Sequence, residues 1–169
     1  MHTIAPEGGV RTLSIPVEKP TNGSRTLVRD LRIANQGDWE RVHLGAITST
    51  YGRTPFFEYI AADLNHLYEN HSKWLAEFNN ALHNLICDYL DIRATLLLTN
   101  KVEIAEPIVL HPFYTATLRK SPILHTVVPY YQHHRQQANT FEPRLSIMDL
   151  LFNVGREGIF TLLKMNKID

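Results

Sequence analysis

Two polar side chains interrupt an apolar run near the C-terminus. In RLSIMDLLFNVG, residues 144–155, Asp149 and Asn153 stand four apart, about one helical turn. On one helix face, a carboxylate and a carboxamide can bind or orient substrate hydroxyls, and the carboxylate can act as an acid or base. They can also simply punctuate a helix. Ser146-Ile147-Met148-Asp149 fits a capping box with Asp in place of Glu. Ser146 then accepts from the N–H of Asp149, and the carboxylate reaches back to the N–H of Ser146. Asn153 falls one turn later, just before Gly155, and helix punctuation is the commoner use of both residues.

Other groups have chemical potential. His43 follows Trp39 by one turn and reads either as a buried neutral imidazole or as a general base needing a carboxylate to orient it. Tyr130-Tyr131-Gln132-His133-His134-Arg135 is either a polar pocket wall or an amphipathic surface helix. Neighbouring histidines on a helix diverge by about 100°, so His133 and His134 make a poor chelate. His111 and His125 lie upstream without a ligand spacing, so no metal site is assigned. Asn79, His83 and Cys87 recur at steps of four beside a core stripe. Cys87 reads as a small buried residue rather than a nucleophile. No phosphate-binding glycine loop, nucleophile elbow or paired-cysteine zinc spacing occurs, and no cofactor is implied.

The elements that must position these groups follow from periodicity. Short strands are expected at His2–Ala5, at Arg11–Val17 with Leu13, Ile15 and Val17 on one face, and at Leu27–Ile33. Pro6-Glu7-Gly8-Gly9 supplies the first turn. A helix opens at Asp38 with a stripe of Trp39, Val42, His43, Ala46, Ile47 and Tyr51, and ends at Gly52. Thr54-Pro55 starts a second, with Phe56, Ile60, Leu64 and Leu67 inward. Ser72 caps a third, striped by Leu75, Phe78, Leu82, Leu85 and Tyr89. Residues 94–99, ATLLLT, read as a buried strand. Three prolines break up residues 100–128. Helices follow over 130–137, over the opening stretch and over 156–164. The order points to an α+β domain: a small mixed sheet with an N-terminal hairpin, packed against a mainly helical middle and C-terminal part.

Composition sets the bounds. A chain of 169 residues, 44% apolar and 20% charged, fits one domain with a single core. Its 17 basic residues balance 17 acidic ones, so no bulk charge draws it to nucleic acid or anionic lipid. No apolar run reaches the length of a membrane span. The N-terminus lacks the basic-then-apolar pattern of a secretory signal, and the single cysteine fits a reducing compartment, so the expected location is cytoplasmic. The sequons at Asn22 and Asn70 are then chance matches.

Taken in order, TLSIPVEK, VRDLRI, WERVHLGAITSTYGRTPFFEYI, EFNNAL, YYQ and FEPRLSIMDLLFNVG resemble the WbqC-like family, from the first strand to Gly155. Its most specific parts are W-x-x-x-H leading to Y-x-x-x-P-F-F-x-Y, and F-x-P-x-L-S-I-x-D-L-L-F-N-x-G. The resemblance implies a role in bacterial surface polysaccharide, notably O-antigen synthesis. The positions that match are Trp39, His43, Tyr51, Pro55, Phe57, Tyr59, Asn79, Tyr131, Gln132, Ser146, Asp149 and Asn153. The implied enzyme acts on an activated sugar, for example a nucleotide sugar, with His43 as base and Asp149 as a further catalytic group that binds or orients substrate hydroxyls. Tyr131, Gln132, Asn153, Tyr51 and Asn79 then bind substrate. A non-catalytic partner in a synthesis complex is the alternative. The family usually begins with a further strand and helix carrying a Gln-Pro-Tyr-like motif, so the expectation is one domain, 1–169, N-terminally incomplete relative to it. An exposed strand edge would then invite homodimerisation, and an inactive mis-started short form is the third reading.

Overall fold

In the computed structural model the described residues are 2–4, 9–18, 27–93, 128–133, 140–143 and 145–165. Strands β1 (His2–Ile4) and β2 (Arg11–Leu13) pair antiparallel, with His2 opposite Leu13 and Ile4 opposite Arg11. Helices α1 (Trp39–Tyr51), α2 (Phe57–Glu69), α3 (Leu75–Leu90), α4 (Ile147–Val154) and α5 (Gly158–Met165) make up most of the rest. A 3-10 turn, Gly155–Glu157, joins the last two.

The N-terminal hairpin is present, but among the described residues no mixed sheet accompanies it. The segment expected as a strand, Leu27–Ile33, begins instead as a 3-10 turn at Val28–Asp30. Leu27 and Val28 face solvent, so burial does not reward an extended strand there. Only its end is extended, and it is held on both sides. Arg32 accepts at its carbonyl from the Glu18 N–H, and Ile33 donates to the Lys73 carbonyl. Isolated bridges join Val17 to Ile33 and Arg32 to Trp74. This stitch ties the N-terminal arm to the start of α3. The expected strand over 94–99 lies outside the described residues.

The helix boundaries follow local chemistry with small displacements. Asp38 precedes α1 but makes no side-chain cap; its carboxylate takes Arg41 at 3.2 Å. Thr54 Oγ1 donates to the Tyr51 carbonyl at 2.7 Å, so it closes α1 rather than opening α2, which starts at Phe57. Ser72 Oγ accepts from the Trp74 N–H at 3.1 Å, one residue before α3 begins.

One apolar cluster unites all layers. Ile4 from the hairpin and Ile33 from the stitch join Trp39, Ile47 and Tyr51 of α1, Ile60 and Leu64 of α2, Phe78 and Leu82 of α3, and Leu151 and Phe152 of α4. The stripe on α1 runs Trp39, His43, Ile47, Thr50 and Tyr51, with Val42 turned to solvent. On α2 it is Phe57, not Phe56, that enters the core. Phe152 is the keystone of this cluster, its ring 4.9 Å from Tyr51 and 5.3 Å from Phe57. Phe152→Ala removes a fully buried ring and leaves a void that the surrounding rings fill only in part. It is expected to lower the unfolding free energy by about 3–5 kcal/mol in a denaturant titration.

Candidate functional site

Helix α4 begins with Ser146, whose Oγ accepts from the Met148 N–H at 3.4 Å. The expected capping box is therefore not the arrangement adopted: the Asp149 N–H goes to the Ser146 carbonyl at 2.8 Å. The Asp149 side chain is 0% exposed. Its Oδ2 accepts from the Tyr130 hydroxyl at 2.6 Å and from Gln132 Nε2 at 2.9 Å. Gln132 also donates to the Glu142 carbonyl at 3.0 Å and accepts the Glu142 N–H at 2.9 Å. Asn153 completes the set. Its Nδ2 donates back to the Asp149 carbonyl at 2.8 Å, and its Oδ1 accepts from the His133 N–H at 2.7 Å.

These bonds form a latch that holds two returning stretches, 128–133 and 140–143, against α4. Residues 128–132 are not helical, contrary to the helix expected over 130–137; its part over 134–137 lies outside the described residues. The extended backbone alternates sides, so Tyr130 and Gln132 face Asp149 while Tyr131 turns outward, 56% exposed. The sequence pattern singles out Tyr131 and Gln132 but not Tyr130, which holds Asp149. A period of two rather than 3.6 in YYQ is the signal that separates it from Tyr131. Burial, and then the Asp149 charge and hydrogen bond, push the Tyr130 phenol well above its ordinary range, so it stays a donor.

The latch unites Gln132, Asp149 and Asn153, while the other sequence-predicted residues lie elsewhere. His43 is 3% exposed in the core end of α1. Its Nε2 lies 3.3 Å from the Ser14 carbonyl, which can only accept, so that nitrogen carries the proton and Nδ1 accepts from the Tyr68 hydroxyl at 3.4 Å. Trp39 packs edge-on at 5.2 Å. Burial is the largest influence and lowers the His43 pKa, while the Ser14 carbonyl and Glu40 pull it back up. The neighbours of this imidazole are thus a carbonyl and a phenol, and burial pushes the phenol of Tyr68 upward as well. Tyr51 is sealed in the core against Phe152. Asn79 is exposed on α3. Cys87 lies 3.5 Å from His83, and burial followed by Asp88 raises its thiol pKa, which disfavours the nucleophilic thiolate. Among the described residues no three His, Cys, Asp or Glu side chains gather to hold a metal ion; His111, His125 and His134 lie outside them.

A separate, solvent-open cleft of about 360 Å³ lies where α2, the end of α3 and the α4–α5 junction meet. Phe56 and Tyr59 form one wall, with ring centroids 6.4 Å apart, and Tyr59 is 75% exposed. Asp88, Tyr89 and Asp91 come from the end of α3, and Arg156 pairs with Asp91. The Tyr89 hydroxyl bridges Asp63 Oδ2 at 2.7 Å and the Tyr59 carbonyl at 2.9 Å. Burial and Asp63 push its pKa up to about 12. Gly155 lets this wall close. At φ +66° a side chain there is strained, and a Cβ would stand 2.6 Å from the Phe56 ring. The Phe56 N–H donates to the Phe152 carbonyl at 3.1 Å, tying the aromatic wall to α4.

With this geometry in place, comparison with known proteins fixes the family. A match to the WbqC-like protein family covers residues 2–108. The chain belongs to the WbqC-like protein family. The matched span takes in α1, α2 and α3, including His43, Tyr51, Tyr59 and Asn79; the latch on α4 lies beyond it. A protein of Mycobacterium tuberculosis, described as uncharacterized protein Rv1507c, is 27% identical over 175 residues, covering 89% of this chain and 74% of that protein. No solved structure matches the chain. In this WbqC-like chain, among the described residues, no helix is long and apolar enough to cross a membrane.

Two measurements probe these interiors. Asp149→Ala strands the Tyr130 and Gln132 donors in a dry site and is expected to cost about 3 kcal/mol of unfolding free energy. Stability should also fall as pH drops below 6.5, because the unfolded chain then binds a proton that buried His43 in the native state resists. His43→Gln keeps a donor for the Ser14 carbonyl and should flatten part of that slope in thermal scans across the range.

Proposed function

We propose that this WbqC-like chain holds a sugar in the open cleft, in cytoplasmic synthesis of a bacterial surface polysaccharide of the O-antigen type. The observation that carries the reading is the exposed Phe56–Tyr59 wall beside the carboxylates of Asp88 and Asp91. A sugar ring has an apolar C–H face that packs on aromatic rings and hydroxyls that donate to carboxylates. The polysaccharide context comes from the family's associations.

The enzymatic form of the reading gives His43 the role of base and Asp149 that of a second catalytic group, with Tyr131, Gln132, Asn153, Tyr51 and Asn79 around an activated sugar. Geometry favours the other form, a sugar-holding subunit without turnover. His43 is enclosed by Trp39, Tyr68 and Ser14, and Asp149 is shut in beneath Tyr130 and Gln132. Such a subunit would work within a synthesis complex, joined to a partner or to a second copy along the β1–β2 hairpin edge.

Thermal unfolding with a panel of sugars and nucleotide sugars tests the reading. Binding to the native state alone raises the midpoint. A rise with one sugar class, lost in Tyr59→Ala and accompanied by no product, is the expected result. Sugar turnover that disappears in His43→Ala, with a midpoint shift indifferent to Tyr59→Ala, would return the function to the buried residues.

A further inference from the structure

The cleft has a charge preference that the general sugar reading does not use. Three charged side chains line it among the described residues: Asp88, Asp91 and Arg156. The cation, Arg156, is already paired with Asp91. Asp88 is exposed and has no side-chain partner among the described residues. Asp63 stands just behind the cleft, holding the Tyr89 hydroxyl.

The backbone adds to this charge. Asp88, Tyr89 and Leu90 form the last turn of α3, which ends at Asp91 and carries no basic residue in that turn. A helix C-terminus bears a partial negative charge, and no basic residue of α3 itself offsets it. Phe56 and Tyr59 line the same cleft, and an aromatic ring attracts a cation through its quadrupole. Carboxylate, helix end and ring faces thus favour the same ligand charge, and they disfavour a phosphate.

We propose that the cleft binds a sugar bearing a protonated primary amine, with the ring on Tyr59 and Phe56 and the ammonium group between Asp88 and the end of α3. The assignment rests on the sugar reading above and narrows it to amino sugars. It also separates the held unit from any nucleotide diphosphate, whose charge this cleft repels.

The test uses glucosamine, N-acetylglucosamine, glucose and methylammonium as probes, followed by NMR titration of the full chain. A pH of about 6 keeps the amine charged, below the ~7.7–8.0 of an ordinary α-amino group. Glucosamine is expected to bind roughly tenfold more tightly than any of the others, a difference of about 1.4 kcal/mol. Asp88→Asn should erase that preference, Tyr59→Ala should weaken glucosamine binding, and neither exposed substitution should move the unfolding midpoint. Equal binding of the three sugars would overturn the amine assignment and leave the sugar reading standing. Methylammonium binding as tightly as glucosamine, or no binding by any probe, would overturn both.

Discussion

A carboxylate removed from water must be paired, and that requirement on Asp149 organises the C-terminal third of the described structure. The side chain is fully enclosed. An ionised carboxylate in such a place is tolerable only with donors supplied by the protein. Tyr130 and Gln132 supply them from an extended segment nineteen and seventeen residues earlier in the chain. Gln132 passes the constraint on by gripping the Glu142 backbone at both its N–H and its carbonyl. Asn153 repeats the device one turn later with the backbone of His133. Polar residues in α4 therefore stand in for strand pairing, fixing two irregular stretches that no sheet among the described residues reaches.

The same helix connects the buried and open parts of the molecule. The apolar face of α4 brings Phe152 and Leu151 into the core with Tyr51 and Phe57. Its end, Gly155, makes room for the Phe56 ring and begins the turn that presents Arg156. Ionisable groups accordingly divide by accessibility. Asp149, His43 and Tyr68 are enclosed, each satisfied by a neighbour from a distant part of the chain. Asp88, Asp91, Arg156 and Tyr59 meet solvent around one cleft. The second group is open to solvent, and the first is closed off by protein.

Much of the helical framework was legible because 3.6-residue periodicity is strong in α1, α2 and α3, and their cores were placed to within a residue or two. The errors have physical causes. Phe56 and Phe57 are adjacent and equally apolar, so the stripe did not reveal which of them faces inward. Leu27 and Val28 look like strand residues, yet neither is buried. The family pattern names Tyr131 beside Gln132, and a helix over 130–137 would turn Tyr130 away from Gln132, whereas the backbone adopted places Tyr130 and Gln132 together on Asp149. A capping box and a buried carboxylate latch share the letters Ser-x-x-Asp, and only the long-range partners of Asp149 separate them. The cleft was illegible for a deeper reason: it joins residues from α2, the end of α3 and the α4–α5 turn that share no local spacing, and its signal is a convergence in space.

The most direct measurement of the latch is a double-mutant cycle on stability between Tyr130→Phe and Asp149→Asn. If Asp149 holds the returning segment through Tyr130, the two substitutions should be strongly non-additive, with a coupling of about 1 kcal/mol or more. Additive effects, within roughly 0.3 kcal/mol, would mean that the phenol and the carboxylate act independently, and would contradict the latch.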